Sequence, residues 1–298
     1  MKLLEGKSVS LAIKKWVASE VQKMQREHGC VPNLVTVQIG ENPASERYIN
    51  NQVKACEEVG IKAKFIKYPK DIKKVDFLKE IDKIVKDKEV DGIIVQTPLP
   101  QGWKMGEIVN AIPSDKDVEG VHPENLGRLY LGVEGTPKPC TAWAALSLLE
   151  WYGYSSFEGR NCVVIGRSAN VGRAVATMLM HKNGTVAVCH TKTSEEQLKK
   201  LLSMADVVVV AAGMPGIVKT NELARETWVI DVGTNFDSKG KLVGDVSLEA
   251  EEDVAAMSPV PGGVGPITVS LLLVNLILCA TKRRVGSSSI FPKLSDLR

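Results

Sequence analysis

At 298 residues, with 44% hydrophobic, 24% charged and 5% aromatic side chains, the chain has room for two ordinary domains, and its composition excludes a disordered or fibrous protein. A net charge of +3 without a basic cluster or interleaved aromatics argues against nucleic acid and fits attraction to small anionic ligands. Cysteines at 30, 56, 140, 162, 189 and 279 form no C-x-x-C pair, so neither a zinc site nor a disulfide framework is indicated, no metal is expected, and a cytoplasmic protein with reduced thiols is.

The N-terminus MKLLEGKSVSLAIKKW has Glu5 and Lys7 early and no unbroken apolar core, unlike a secretory signal. VTVQI at 35–39 is the first expected strand. A helix should follow, with Asn42 as cap, Pro43 in its first turn and an end near Gly60. VDFLKEIDKIV at 75–85 places Val75, Leu78, Ile81 and Val85 on one helical stripe, flanked by Phe77 and Ile84. DGIIVQ at 91–96 is the next strand, and Gln96 ends it where a polar group often meets ligand.

KDVEGVHPENLGRL at 116–129 carries Asp117 and Glu119 at a loop or strand spacing. Two such carboxylates could do acid–base work, bind a donor-rich heterocycle or face solvent, and spacing alone favours solvent. His122 reads as a structural histidine. TPKPCTAWAALSLLEWYGY at 136–154, a Pro-rich turn leading into an apolar helix, marks the domain boundary. NCVVIG (161–166), TVAVCH (185–190), DVVVVAAG (206–213) and WVIDVG (228–233) are further strands, several apolar on both faces. Strands alternating with helices predict an α/β architecture with mainly parallel sheets.

MSPVPGGVGPIT at 257–268 is too rich in Gly and Pro for a helix or a regular strand and reads as a ligand-facing loop. ITVSLLLVNLILCA at 267–280 is shorter than the about 18 residues a membrane span requires and contains Asn275, so a buried helix is expected and no membrane. The tail RRVGSSSIFPKLSDLR should be extended or loosely packed.

In NCVVIGRSANVGRAVATMLM a strand ends in a turn at Gly166 and Gly172 opens a helix, a layout that offers backbone N–H groups to a pyrophosphate. The G-x5-G spacing is weak by itself. The next strand ends in His190, Thr191 and Lys192, without the carboxylate that accepts ribose hydroxyls in NAD sites, and Arg167 could bind a 2′-phosphate through its guanidinium fork. NADP is therefore expected over NAD.

DGIIVQTPLP, KDVEGVH, PKPCTA, GRSANVG, CHTKT, VIDVGTN, GKLVGDV and PVPGGVGPIT together resemble, in order, the methylenetetrahydrofolate dehydrogenase/cyclohydrolase family, over about Leu3 to Thr281. The resemblance implies a substrate domain, 1–143 joined by a returning C-terminal helix within 267–298, and a Rossmann-type NADP domain, 144–266, with the active site in the cleft between them. It implies oxidation of 5,10-methylenetetrahydrofolate to the methenyl form with NADP in one-carbon metabolism, a folate that can be polyglutamylated, and a homodimer. Carried over by motif, Tyr48, Gln52, Gln96 and Glu119 are the candidate catalytic positions. Tyr48, Gln96, Glu119, Val260, Pro261, Gly262 and Gly263 are candidate folate contacts. For NADP the candidates are Gly166, Arg167, Ser168, Val171, Gly172, His190, Thr191, Gly213, Thr234 and Thr268.

The family pattern on the helix that starts at Asn42 is Tyr-x-x-x-Lys-x-Lys, and here it reads Tyr48, Gln52, Lys54. The first lysine is where the family places water activation for hydrolysis of the methenyl product, and an amide exchanges no proton at neutral pH. Lys54 lies roughly 200° around the helix from that face. Glu119 stands where an aspartate is usual. The expectation is thus a dehydrogenase with weak or absent cyclohydrolase; the alternative is the bifunctional enzyme forming 10-formyltetrahydrofolate with Gln52, Glu119 and a water. Two further rivals are a dehydrogenase resembling shikimate dehydrogenase and a non-enzymatic NADP-binding module.

Overall fold

Runs of valine and isoleucine become parallel strands because side chains branched at Cβ pack well on a sheet covered on both faces. The structure, a computed structural model, describes residues 1–286, 291 and 293–298. In chain order come β1 (Lys2–Leu3), α1 (Gly6–His28), β2 (Asn33–Ile39), α2 (Pro43–Glu58), β3 (Lys62–Tyr68), α3 (Lys74–Lys86) and β4 (Gly92–Val95). Then follow α4 (Met105–Val109), α5 (Pro123–Tyr130), α6 (Cys140–Trp151), β5 (Asn161–Ile165), α7 (Ala174–His181), β6 (Thr185–Cys189), α8 (Glu195–Ser203), β7 (Val207–Val210) and β8 (Val218–Lys219). The last are β9 (Trp228–Asp231), β10 (Asn235–Phe236), β11 (Leu242–Val243), β12 (Val246–Ser247), β13 (Ala256–Met257) and α9 (Val264–Ala280).

The chain forms two compact units: residues 12–138 with 269–292, and residues 1–11 with 139–268 and 293–298. The units differ from the expected division at 143/144 and 266/267, since residues 1–11, 139–143, 267–268 and 293–298 fall in the second unit. Residues 1–11 belong to the second unit because β1 adds to its sheet, Lys2 beside Ala256 and Leu3 beside Met257. Residues 139–143 belong there too, as the start of α6. The tail end is docked rather than loose, since Leu294 is buried and the Arg298 guanidinium sits 5.4 Å from the Trp151 ring centre. Residues 287–290 and 292 of that tail lie outside the described residues.

In the first unit β3, β2 and β4 make a parallel sheet with β2 in the middle. Phe77, Ile81, Val37 and Val95 lie in its core. The stripe expected on α3 is rotated: Phe77 and Ile81, four apart, are fully buried, whereas Val75 is 58% exposed. Within α9, Asn275 is buried and satisfied, its Nδ2 donating to the carbonyls of Val118 and Lys138 at 2.8 Å each. With its π-type continuation to Val285 the helix is 22 residues long, more than expected, and apolar enough to cross a membrane by length and composition; 78% of its most apolar window is buried inside the protein, as a core helix is.

The second unit holds a six-stranded, wholly parallel sheet ordered β1-β13-β9-β7-β5-β6. Numbered from β5, five of these strands run 2-1-3-4-5, a doubly wound order whose direction reverses between β5 and β7. In such sheets ligands bind outside the carboxyl ends of the strands at that switch point. The stretch 257–268 proves less irregular than its composition suggests. Met257 belongs to β13 and α9 begins at Val264, with Pro266 in its first turn, where a missing N–H leaves no helical bond unmade.

Candidate functional site

In the first unit, α2 and the end of β4 bring Gln52 and Gln96 together. Asn42 caps α2, its Oδ1 accepting the Ser45 N–H at 2.9 Å, and the Ser45 hydroxyl donates to the Thr97 carbonyl at 2.7 Å. That pair ties the helix start to the TPLP loop that follows β4. One turn apart on α2, Tyr48 is 36% exposed and Gln52 is 1% exposed, so the ring reaches solvent while the amide is enclosed. Gln96 is buried, and its Nε2 donates to the Gln52 Oε1 at 3.5 Å, a long bond. The Gln52 Nε2 is buried without a partner. A buried amide donor left unmade costs about 1–3 kcal/mol, so the site carries an unused donor. Lys54 is exposed, on the opposite side of α2 from Gln52.

The two carboxylates of the KDVEG stretch do not face solvent, contrary to expectation. Asp117 is buried and accepts the N–H groups of Gly120 at 3.1 Å and His122 at 2.7 Å and the Asn125 amide at 2.9 Å, which folds the loop back on itself. His122 caps α5, its Nδ1 accepting the Glu124 N–H, and is structural as expected. Glu119 is half-buried and lines a cavity of about 10 Å³ with Ile93, Val95, Met105, Ile108 and Asp117. Such a volume holds about one water. Burial first, and the nearby Asp117 carboxylate second, push the Glu119 carboxyl up to about 7. Near neutrality it can both hold and release a proton.

In the second unit, β5 is followed by Gly166, whose φ of 118° a side chain would strain. The chain then makes a π-type turn over Ala169–Arg173, with Ser168 as cap, before α7. A Cβ on Gly172 would lie 2.0 Å from the Gly166 carbonyl oxygen, so both positions require glycine and leave bare backbone at the turn. This cradle, at the switch point of the sheet, fits the phosphates of a dinucleotide. Arg167 and Ser168 are exposed beside it, Val171 is half-buried, and Thr191 and Lys192 are exposed where β6 ends. The His190 Nδ1 accepts the Lys192 N–H at 3.1 Å, and the His190 N–H donates to the Thr193 hydroxyl, closing that turn. Gly213 and Thr234 are exposed. Thr268 is buried in α9 and its hydroxyl donates to the Val264 carbonyl.

The loop of Val260, Pro261, Gly262 and Gly263 also lies in the second unit. The Gly6 N–H donates to the Gly262 carbonyl at 2.8 Å, and a Cβ on Gly6 would sit 1.9 Å from the Gly263 oxygen. The start of α1 therefore fixes this loop, a role for Gly6 that sequence reading missed. It also missed Asp231 and Asp245, although a carboxylate inside the apolar run WVIDVG is itself a signal of a buried, hydrogen-bonded group.

A doubly wound sheet with a glycine cradle at its switch point in one unit, and a half-buried glutamate and a partly exposed tyrosine in the other, define an α/β enzyme of the dinucleotide-dependent class. Residues 4–119 match the tetrahydrofolate dehydrogenase/cyclohydrolase catalytic domain, and residues 139–284 match the NAD(P)-binding domain of the same family. The chain belongs to the tetrahydrofolate dehydrogenase/cyclohydrolase family. Among its relatives is a bifunctional protein FolD of Francisella philomiragia, 40% identical over 281 residues, covering 94% of this chain and 98% of that one. The bifunctional methylenetetrahydrofolate dehydrogenase/cyclohydrolase FolD of Campylobacter jejuni superposes with a TM-score of 0.90 at 39% identity, covering 95% of this chain and 99% of the other. A Trypanosoma brucei methylenetetrahydrofolate dehydrogenase-cyclohydrolase, solved with NADP and an inhibitor, gives a TM-score of 0.87 at 33% identity, covering 95% and 98%. These relatives are named for two activities, which favours the bifunctional alternative over the expected dehydrogenase with weakened hydrolysis.

Proposed function

We propose that the protein oxidises 5,10-methylenetetrahydrofolate to 5,10-methenyltetrahydrofolate with NADP and hydrolyses that product to 10-formyltetrahydrofolate, the second step being the slower. The observation that carries this reading is the family match over both units, reinforced by the glycine cradle at the switch point. NADP accepts a hydride from the methylene carbon of the folate. The protein's part in that step is to hold and orient, which is where most of the catalytic advantage lies. The Gly166–Gly172 turn and Ser168 receive the pyrophosphate. Arg167, Thr191 and the His190 turn receive the ribose phosphate, and no carboxylate at the end of β6 opposes it. Val171, Gly213, Thr234 and Thr268 complete the dinucleotide contacts.

On the folate, Tyr48 stacks, Gln96 hydrogen-bonds, and Glu119 accepts the donor edge of the pterin. The Val260–Gly263 loop contributes backbone contacts. Gln52 gives the unpaired Nε2 donor to a folate acceptor or to a water. Hydrolysis then proceeds without an ammonium at this position, and Glu119, titrating at about 7, is the group able to move a proton. A second reading, a dehydrogenase that leaves hydrolysis to another protein, is favoured by Gln52 alone. The decay of added methenyltetrahydrofolate distinguishes them: faster than the enzyme-free rate supports the bifunctional reading, and the enzyme-free rate supports the second.

A homodimer and a cytoplasmic setting belong to the same proposal. β6 is an edge strand with Val188 38% exposed, a surface able to meet a second copy, and the six cysteines are thiols and not disulfides. A polyglutamylated folate is included among the substrates.

A further inference from the structure

Two buried aspartates of the second unit take no part in the chemistry above. Asp231 ends β9, and its carboxylate accepts the N–H groups of Gly233 at 2.8 Å, Asp245 at 3.0 Å and Val246 at 2.9 Å. Asp245, wholly buried, in turn accepts the N–H groups of Ala212 at 2.7 Å, Gly213 at 2.9 Å and Met214 at 2.8 Å, and the Asn235 amide at 2.7 Å. Every one of these donors is a neutral N–H. Packing is equally close, since a Cβ on Gly244 would fall 1.8 Å from the Asp231 carboxylate.

Three successive N–H groups aimed at one point form a nest, an arrangement that binds anions. Here the chain fills the nest with its own carboxylate. The segment so held follows β7, the strand across the switch point from β5. It also touches the cradle directly: the Ala211 N–H donates to the Ile165 carbonyl at 2.8 Å, and a Cβ on Gly166 would lie 2.2 Å from the Ala211 oxygen. A shift of Ala211 toward the cradle would therefore meet Gly166.

We propose that Asp245 is a positioning residue for dinucleotide binding, fixing residues 211–214 against the Gly166 turn. Gly213 then meets the cofactor without its N–H, which Asp245 already holds. The inference rests on NADP being the cofactor of this chain.

The test uses the full chain and its Asp245→Asn variant, the same size but neutral, with an NH₂ group that must confront one of the donor pairs. NADPH affinity is read from nicotinamide fluorescence. The dissociation constant should rise about tenfold or more, since hydrogen bonds to a charged acceptor each carry roughly that factor. The KM for NADP should rise with it while the KM for methylenetetrahydrofolate stays within about twofold. Asn235→Ala removes one donor and keeps the three backbone bonds; it should weaken NADPH binding about threefold, and serves if Asp245→Asn does not fold. In the wild type without NADPH, the Gly213 amide proton should already exchange slowly. A folded Asp245→Asn variant with wild-type NADPH affinity, or a rapidly exchanging Gly213 amide, overturns the proposal. A wild type that binds no NADPH overturns the cofactor reading instead.

Discussion

Replacing Glu119 by glutamine should make the protein more stable at neutral pH and worse at binding folate. The Glu119 carboxyl, moved by burial and by Asp117 from 4.5 to about 7, gives up about 3 kcal/mol when it ionises in the folded protein. The sign follows from a raised folded pKa on an acid. Below 4.5 the group is protonated in both states and there is no penalty; between 4.5 and about 7 the folded state binds more proton than the unfolded, so stability falls as pH rises; above 7 the full penalty is present. Glutamine fills the same space without a charge. Urea unfolding of wild type and Glu119→Gln at pH 4 and pH 8 should give nearly equal stability at the lower pH and a variant more stable by up to about 3 kcal/mol at the higher. The KM for methylenetetrahydrofolate should rise in the same variant, in which an NH₂ donor replaces one of the two oxygens that accept the pterin's donors. Parallel stability curves across this window would refute the enclosed-carboxyl picture and the proton-handling role drawn from it.

Other outcomes follow from the same geometry. Gln52→Lys should accelerate methenyltetrahydrofolate hydrolysis by about 100-fold or more, the worth of a general acid–base group, and leave NADPH formation within a few-fold; an unchanged hydrolysis rate would mean the position does not handle protons. Asp117→Ala leaves three N–H donors without their acceptor and should destabilise the fold by about 2–5 kcal/mol, seen as a lowered urea midpoint. Gly172→Ala forces a Cβ onto the Gly166 carbonyl and should abolish NADPH binding while the isolated folate affinity survives. Arg167→Ala should raise the KM for NADP by about tenfold and leave that for NAD unchanged; equal effects on both would remove Arg167 from phosphate recognition.

The apolar strands were legible because parallel strands buried on both faces need no alternation, and all six expected runs form strands. β3, KAKFIKY, was not, because an edge strand carries the lysines that keep it from pairing with other chains, which reads as solvent-exposed sequence. The cap at Asn42 and the glycine turn at 166–172 were readable since each rests on local backbone chemistry. Enclosure was not readable. Asp117 and Glu119 are two residues apart in a polar-looking stretch, and only the packing of β4 and α4 around them shows one bound to backbone N–H groups and the other in a cavity. Asp245 was hidden for the same reason: its four partners come from residues 10 to 33 positions away.

The central claim is tested most directly by mixing the purified protein with 5,10-methylenetetrahydrofolate and NADP, following NADPH at its absorbance, and measuring the decay of added methenyltetrahydrofolate in the same sample. NADPH formation that depends on the folate, with decay faster than the enzyme-free rate, is the result expected; decay at the enzyme-free rate would leave a dehydrogenase alone. No folate-dependent NADPH would contradict the account.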